Sequence, residues 1–141
     1  MKRLIYIICV LTLCFISCNK KETVIPDLSG KYTCSFSIPA SPEYIANGML
    51  NIQKTGDSSY KVSGNVPFQN AKLLCFSESQ YQFNIPQTEI ERNGKTYYVT
   101  LFATLKYGNG VFNTSYCQAA YGEKGVSGRT YNVSDFKLNK Q

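Results

Sequence analysis

The sequence lacks histidine and tryptophan entirely, and charged residues make up only 17% of its 141 positions. Without histidine, a Ser-His-Asp or Cys-His arrangement, a histidine general base and a histidine metal ligand are all excluded. The low charged fraction, with 43% hydrophobic and 13% aromatic residues, is typical of a folded chain and not of a disordered one. At this length the chain has room for one domain.

Acidic residues are also scarce, with nine Asp and Glu in the whole chain. Most of them fall in predicted turns or at strand ends, and glycoside hydrolysis would need two of them to converge from separate strands. Glu89 and Glu91 share a strand face, but at the end of a predicted hairpin, where a solvated pair is the usual outcome. As a nucleophile, Cys117 has no histidine to act as its base. We therefore predict a protein that is not an enzyme and that uses no cofactor and no metal.

The most apolar run of the chain stands near its N-terminus. Lys2 and Arg3 precede residues 4–16, which are almost all apolar. This run is too short to span a bilayer as a mature helix, but it is typical of the hydrophobic region of a secretory signal peptide. Residues 1–17 are therefore predicted to be a targeting segment outside the folded domain.

The run ends in Phe15-Ile16-Ser17-Cys18, which puts a small residue directly before a cysteine. This arrangement resembles the lipobox of bacterial lipoproteins. The resemblance implies cleavage before Cys18, which then becomes a lipid-modified N-terminus. Several acyl chains on one residue hold a protein stably to a membrane, since each buried methylene contributes about 0.8 kcal/mol. Two alternatives stay open: an uncleaved N-terminal anchor helix, and ordinary cleavage without lipid.

Residues 18–27 are polar, contain Pro26 and show no periodicity, which predicts a lipidated tether in front of a domain at 28–141. Lys20 and Lys21 lie beside the anchor, and the other basic residues are scattered singly without an Arg-rich stripe. This pattern predicts attachment to a membrane through the lipid and no nucleic-acid partner.

The lipoprotein resemblance also implies a location. Lipoproteins that the Bacteroidota export to the cell surface favour acidic residues just after the cysteine, whereas here Asn19-Lys20-Lys21-Glu22 is mostly basic. We therefore expect the outer membrane, with the domain facing the periplasm. The outer surface of the cell stays open as the alternative.

The domain shows period-two alternation and no window of helical spacing, which predicts short strands and no long helix. Pro86 is expected to end the fifth strand, and Asn93-Gly94 is expected to form a tight turn that pairs residues 89–91 with the sixth strand. The predicted strands are 32–38, 49–54, 60–68, 71–76, 81–85, 97–107, 111–121 and 129–138.

About eight strands with short connectors can close into an up-and-down barrel whose interior holds side chains or one small ligand. The fold class is therefore predicted as all-β, a small antiparallel meander that forms a barrel. A β-sandwich is the alternative, although its Greek-key connections would need longer crossings.

Three segments resemble the small lipocalin-like lipoproteins of Bacteroidota. They are Leu28-Ser29-Gly30-Lys31-Tyr32, then Leu50-Asn51-Ile52 with a Gly56 turn leading to Tyr60-Lys61-Val62-Ser63-Gly64, and finally Phe136-Lys137-Leu138. The resemblance implies a lipocalin-like barrel and no particular ligand.

Two further segments, Tyr32-Thr33-Cys34 and Ser127-Gly128-Arg129-Thr130-Tyr131, resemble the bacterial lipoproteins that inhibit lysozyme. That resemblance implies an alternative function, in which the end loops bind and inhibit an envelope protein.

Aromatic residues are plentiful, with 11 tyrosines and 8 phenylalanines. On inward faces they either fill the core, with their hydroxyls reaching the rim, or line a pocket for a small apolar or amphipathic ligand or a sugar ring. We predict a membrane-anchored lipoprotein that binds such a ligand without transforming it. The candidate lining residues are Tyr32, Phe36, Tyr60, Tyr81, Tyr97 and Tyr107.

Three cysteines, Cys34, Cys75 and Cys117, lie in the predicted domain. In an oxidising envelope a single disulfide can form between any two of them, and the sequence does not choose the pair. Such a bridge would stabilise the domain by about 3–4 kcal/mol. A buried unpaired thiol is the alternative for Cys34, which lies on the inward face of its strand.

Overall fold

Strands make up all the regular secondary structure of the described chain. The computed structural model describes residues 25–39 and 41–141, and among these no helix is long and apolar enough to cross a membrane. All nine strands and the core described below lie within these residues. The strands are β1 (Gly30–Ile38), β2 (Ser41–Lys54), β3 (Ser59–Gly64), β4 (Lys72–Ser77), β5 (Gln80–Arg92), β6 (Lys95–Gly108), β7 (Val111–Glu123), β8 (Arg129–Asn132) and β9 (Lys137–Lys140).

The strands form one antiparallel sheet in the order β8-β7-β6-β5-β4-β3-β2-β1-β9. The predicted all-β meander is thereby confirmed. Strands β8 and β9 are the two ends of the sheet, and within the described residues no ladder joins them. The sheet is therefore not closed into the barrel that we expected.

The expected closure fails because the predicted eighth strand is split into two. Its first part, β8, pairs with β7, and its second part, β9, pairs with β1. Between them Val133 and Phe136 turn into the core, where both are buried. Two hydrogen bonds, instead of a ladder, join this connection to β7. The Val133 amide donates to the Cys117 carbonyl at 3.0 Å, and the Thr114 hydroxyl donates to the Phe136 carbonyl at 3.2 Å.

Alternating burial places the core inside the curled sheet. In β1 the four residues that alternation assigns to one face are all at most 1% exposed, namely Tyr32, Cys34, Phe36 and Ile38. Curling brings β1 and β2 against β7, since the Tyr32 ring lies 6.2 Å from Phe112 and the Tyr44 ring lies 5.0 Å from Tyr121.

Strand β5 continues through Pro86, so the prediction that this residue ends the strand is wrong. Ile85 pairs with Leu101 and Thr88 pairs with Val99, which leaves Pro86 and Gln87 opposite a single residue of β6. This is a β-bulge, where a proline is tolerated because the ladder is already interrupted and its missing N–H is not needed. The bulge becomes part of the wall of the candidate site.

Two hairpin turns have the backbone conformation that is typical of an Asn-Gly pair. Asn93 and Gly94 have φ values of 51° and 73°, and Asn109 and Gly110 have φ values of 53° and 79°. Positive φ at both central residues is the type I′ turn, whose twist matches the flanking strands. The hairpin at Asn93-Gly94 is thereby confirmed.

The ladder between β3 and β4 is short. Strand β3 ends at Gly64, four residues before the end predicted from the sequence. The connection to β4 instead sends Phe68 into the core, where it is fully buried. Because β4 begins only at Lys72, its ladder with β3 has three residue pairs. Next to this ladder the wall of the sheet is incomplete.

Candidate functional site

The interior of the curled sheet is filled by side chains. Of the six residues predicted to line a pocket, four are buried and two, Tyr97 and Tyr107, are half-buried. The rings pack against one another, with the centroid of Tyr81 5.6 Å from that of Phe112. Within the described residues, no buried side-chain nitrogen or oxygen lacks a hydrogen-bond partner. The four buried residues are Tyr32, Phe36, Tyr60 and Tyr81.

The N-terminal segment covers one end of this interior. The Tyr32 hydroxyl donates to the Leu28 carbonyl at 2.7 Å, and the Tyr60 hydroxyl donates to the Pro26 carbonyl at 2.9 Å. Leu28 is fully buried, and Ile25 packs against the core. Residues 25–27, which the sequence assigns to the tether, therefore contact the sheet, and the chain enters the fold at this end.

A stack of tyrosines lies at the opposite end. The Tyr97 and Tyr121 rings are parallel with centroids 5.2 Å apart, and Tyr44 stacks on the other side of Tyr121. The Arg92 guanidinium lies 6.0 Å from the Tyr44 ring. Burial raises the pKa of Tyr44 to about 12. Sequence reasoning singled out Tyr97 but missed the other two, although Tyr121 alternates in step with the buried Cys117 and Ala119 of β7.

A cleft of about 640 Å³ opens in the outer wall at β3, β4 and the β5 bulge. Three of its lining residues, Tyr60, Val62 and Ala71, are buried and give it an apolar base. Polar side chains surround this apolar base, and none of the lining residues is acidic. The polar lining residues are Thr55, Ser59, Lys61, Gln69, Asn70, Lys72 and Gln87. Sequence reasoning named only Tyr60 among the residues of this cleft.

Two lysines lie side by side in the lining of this cleft. Lys61 of β3 and Lys72 of β4 are direct partners in the ladder and both side chains are exposed. In the part of the chain that the structure describes, neither lysine has a carboxylate within ion-pair distance. By contrast, Lys95 pairs with Glu123 at 3.0 Å, and Lys124 pairs with Glu89 at 2.9 Å.

The three cysteines of the domain are free thiols in the structure, and all are buried. Burial raises the pKa of Cys34, and it raises the pKa of Cys117 to about 12, so these thiols are held protonated. The Cys75 thiol donates to the Ser77 carbonyl at 3.0 Å. No bridge is present here, and its formation in an oxidising envelope stays a prediction. Among the described residues, no group of His, Cys, Asp or Glu converges as metal ligands do.

The remaining segments that the sequence singled out lie at the tyrosine-stack end. Glu89 pairs with Lys124, and Glu91 accepts a hydrogen bond from the Thr96 hydroxyl at 2.6 Å. In the segment resembling lysozyme inhibitors, Gly128 lies so close to Gly122 that a Cβ on Gly122 would be 2.6 Å from its Cα. Tyr131 in β8 packs against the core. The segment is therefore held in part by the sheet.

Comparison with known proteins leaves the function open. No family model, curated protein or solved structure matches this chain. The resemblances to lipocalin-like lipoproteins and to lysozyme inhibitors therefore stay predictions. Cys18, the predicted targeting segment 1–17 and residues 18–24 of the predicted tether lie outside the described residues. The fold and the cleft together define a small all-β protein with a filled interior and an amphipathic cleft in its wall.

Proposed function

We propose that this protein is a membrane-anchored lipoprotein that binds a small amphipathic ligand and does not transform it. The cleft at β3, β4 and β5 is the observation that carries the proposal. Its volume of about 640 Å³ lies within the ordinary range of small-molecule sites, roughly 300–1,000 Å³. An apolar base surrounded by amides, hydroxyls and amines matches a ligand that has one apolar and one polar part. The ligand then binds in the wall of the sheet, because the interior is already filled.

A binding role without catalysis is supported by the chemistry of the cleft. It contains no acidic residue, no cysteine and no histidine, so the commonest general bases and a thiolate nucleophile are absent from its lining. The buried thiols Cys34 and Cys117 are held protonated inside the sheet, away from the cleft. We propose on these grounds that the ligand is held and released unchanged.

The proposed anchor would lie at the same end of the molecule as the cleft. Tyr60 lines the cleft and also donates its hydroxyl to the Pro26 carbonyl, eight residues after Cys18. A chain advances at most about 3.6 Å per residue, so a lipid on Cys18 would hold the cleft within about 30 Å of the membrane. We propose the periplasmic face of the outer membrane as the location, with the cell surface as the alternative.

Binding at the cleft is tested by NMR on the lipid-free mature chain, which starts at residue 18 and carries Cys18→Ser. We expect the neutral apolar dye N-phenyl-1-naphthylamine to produce saturable amide shifts at residues 59–62, 69–72 and 87. Amides at the tyrosine-stack end, such as Tyr97 and Tyr121, serve as the internal control and should not move. Shifts that are absent, or that are confined to the tyrosine stack, would reject the cleft as the binding site.

The anchor is tested in the full chain, expressed in a bacterium that processes lipoproteins. We expect the wild-type protein to incorporate labelled palmitate and to sediment with membranes, and Cys18→Ser to do neither, because the thiol carries the lipid. Cys14→Ser, inside the targeting segment, is the matched control and should behave as wild type. If Cys18→Ser still incorporates palmitate and stays with membranes, the lipoprotein proposal is wrong.

A further inference from the structure

We infer that the ligand of the cleft is an anionic amphiphile, whose phosphate, sulfate or carboxylate head lies between Lys61 and Lys72. This inference rests on the proposed function and names the class of ligand. It is carried by the placement of the two lysines, by the absence of acid around them and by the apolar base of the cleft beside them.

The two lysines are neighbours by the geometry of the sheet. Lys61 and Lys72 are direct partners in an antiparallel ladder, where opposite residues have their Cβ atoms about 4.5–5.5 Å apart on the same face. Like charges at this separation repel each other and destabilise the sheet. An anion placed between the two ammonium groups removes the repulsion and gains two charge-assisted hydrogen bonds.

The residues next to the lysines carry no negative charge that would repel this anion. The same outward row continues to Gln53 beside Lys61 and to Asn84 beside Lys72, and both neighbours are uncharged. The cleft has no acidic lining residue, while Gln69, Asn70 and Gln87 bring amide groups that donate hydrogen bonds to oxygen. Elsewhere in the sheet Lys95 and Lys124 are neutralised by Glu123 and Glu89. The positive charge at Lys61 and Lys72 is therefore available to a ligand from outside.

The tail of the ligand has its own site in the same cleft. Tyr60, Val62 and Ala71 form the apolar base, and Leu74 and Pro86 extend the apolar lining. An inorganic anion alone would leave the exposed parts of Leu74 and Pro86 in water, so an alkyl or similar apolar tail that covers them adds affinity that the head alone lacks. Such a molecule is either a free amphiphile or a lipid whose head belongs to a bilayer.

The inference is tested by calorimetry on the lipid-free mature chain with octyl phosphate, octyl glucoside and inorganic phosphate, each below its micelle concentration. We expect octyl phosphate to bind at least about tenfold more tightly than either of the others. Lys61→Gln and Lys72→Gln should each weaken octyl phosphate about fivefold to tenfold and leave octyl glucoside unchanged. Lys106→Gln, at an exposed position of β6 outside the cleft, is the matched control and should change neither affinity.

Two results would overturn the inference while the proposed function stands: equal affinity for octyl phosphate and octyl glucoside, or an equal loss in Lys106→Gln and the two cleft variants. If neither octyl compound binds, the inference and the proposed function both fall.

Flotation with phosphatidylcholine vesicles, with and without phosphatidylglycerol, then distinguishes the two sources of the ligand, a free amphiphile and a bilayer lipid. Binding to octyl phosphate together with the phosphatidylglycerol vesicles indicates a bilayer lipid, and binding to octyl phosphate alone indicates a free amphiphile; either result supports the inference.

Discussion

The two faces of the β3–β4 ladder, which successive residues occupy in turn, differ in whether their polar side chains have favourable partners within the protein. On the inner face Tyr60 pairs with Leu73, both are buried, and the tyrosine hydroxyl is bonded to the Pro26 carbonyl. On the outer face Lys61 pairs with Lys72, and these two charges repel each other. The inner face satisfies its own polar groups and stabilises the fold. The outer face leaves a charge for something else to satisfy, so only the inner face has its polar groups matched within the fold.

The largest expected effect is a loss of unfolding free energy, and it is tested by comparing one phenylalanine on each face. Phe83 of β5 is fully buried, whereas Phe102 of β6 is 40% exposed on the outer face. Phe83→Ala should lower the free energy of unfolding by about 3–5 kcal/mol, because it removes a buried ring and leaves a cavity. Phe102→Ala should lower it by less than about 1 kcal/mol. Urea unfolding followed by circular dichroism measures both.

Similar losses in the two variants would break the distinction between the faces. A loss at Phe102→Ala as large as that at Phe83→Ala would mean that the outer face of β6 is covered in the folded protein. A small loss at Phe83→Ala would mean that the interior is loosely filled and could admit a ligand.

Alkaline pH should destabilise the inner face through its buried thiol and tyrosines. Burial raises the pKa of Cys117 from 9.0 to about 12, and it raises the pKa of Tyr32 and Tyr44 from 10.0 to about 12. The unfolded chain therefore releases these protons at lower pH than the folded one, so stability falls as pH rises. We expect the urea midpoint to be unaffected by these groups below about pH 9 and to decrease between about pH 9 and 12.

The contribution of Cys117 to this decline can be isolated by substitution. In Cys117→Ala the decline between about pH 9 and 10 should become shallower without disappearing, because burial also raises the pKa of the remaining Cys34 thiol. Lys106→Gln, on the outer face, should leave the pH profile unchanged. A midpoint that is independent of pH up to 12 in the wild type would contradict the burial of these groups.

The smallest expected effect concerns one hydrogen bond. The buried Tyr32 hydroxyl donates to the Leu28 carbonyl at 2.7 Å, so Tyr32→Phe should cost about 1–2 kcal/mol of unfolding free energy. Tyr116→Phe is the matched control, since Tyr116 is 46% exposed on the outer face, and it should cost less than about 0.5 kcal/mol. Thermal unfolding of the two variants measures the difference. Equal transition temperatures would show that the N-terminal segment does not depend on this bond.

Local patterns in the sequence predicted much of the inner face. Alternation identified the inward residues of β1, because a strand turns successive side chains to opposite faces whatever the rest of the fold does. Asn93-Gly94 identified a hairpin, because few other residue pairs adopt positive φ twice in succession. The same reasoning failed at Pro86. A proline normally ends a ladder, but here the neighbouring strand accommodates it in a bulge.

The split of the predicted eighth strand also escaped sequence reasoning. Residues 129–138 read as one continuous strand, yet Val133 and Phe136 leave the ladder to fill the core between the two ends of the sheet. That outcome depends on the space left by the other strands, which no local pattern contains. For the same reason the sequence predicted inward tyrosines but could not tell core filling from a pocket.

By itself, the sequence determined where most of the strands lie, the turn at Asn93-Gly94 and which side of these strands is apolar, since these follow from backbone geometry and side-chain size over a few residues. Only the tertiary structure decided that the interior is filled, that the sheet stays open and that Lys61 and Lys72 stand opposite each other. Lys61 and Lys72 lie in different predicted strands, and only the register between those strands brings them together. Register is set by contacts between segments distant along the chain, and the candidate site therefore emerges only in the folded protein.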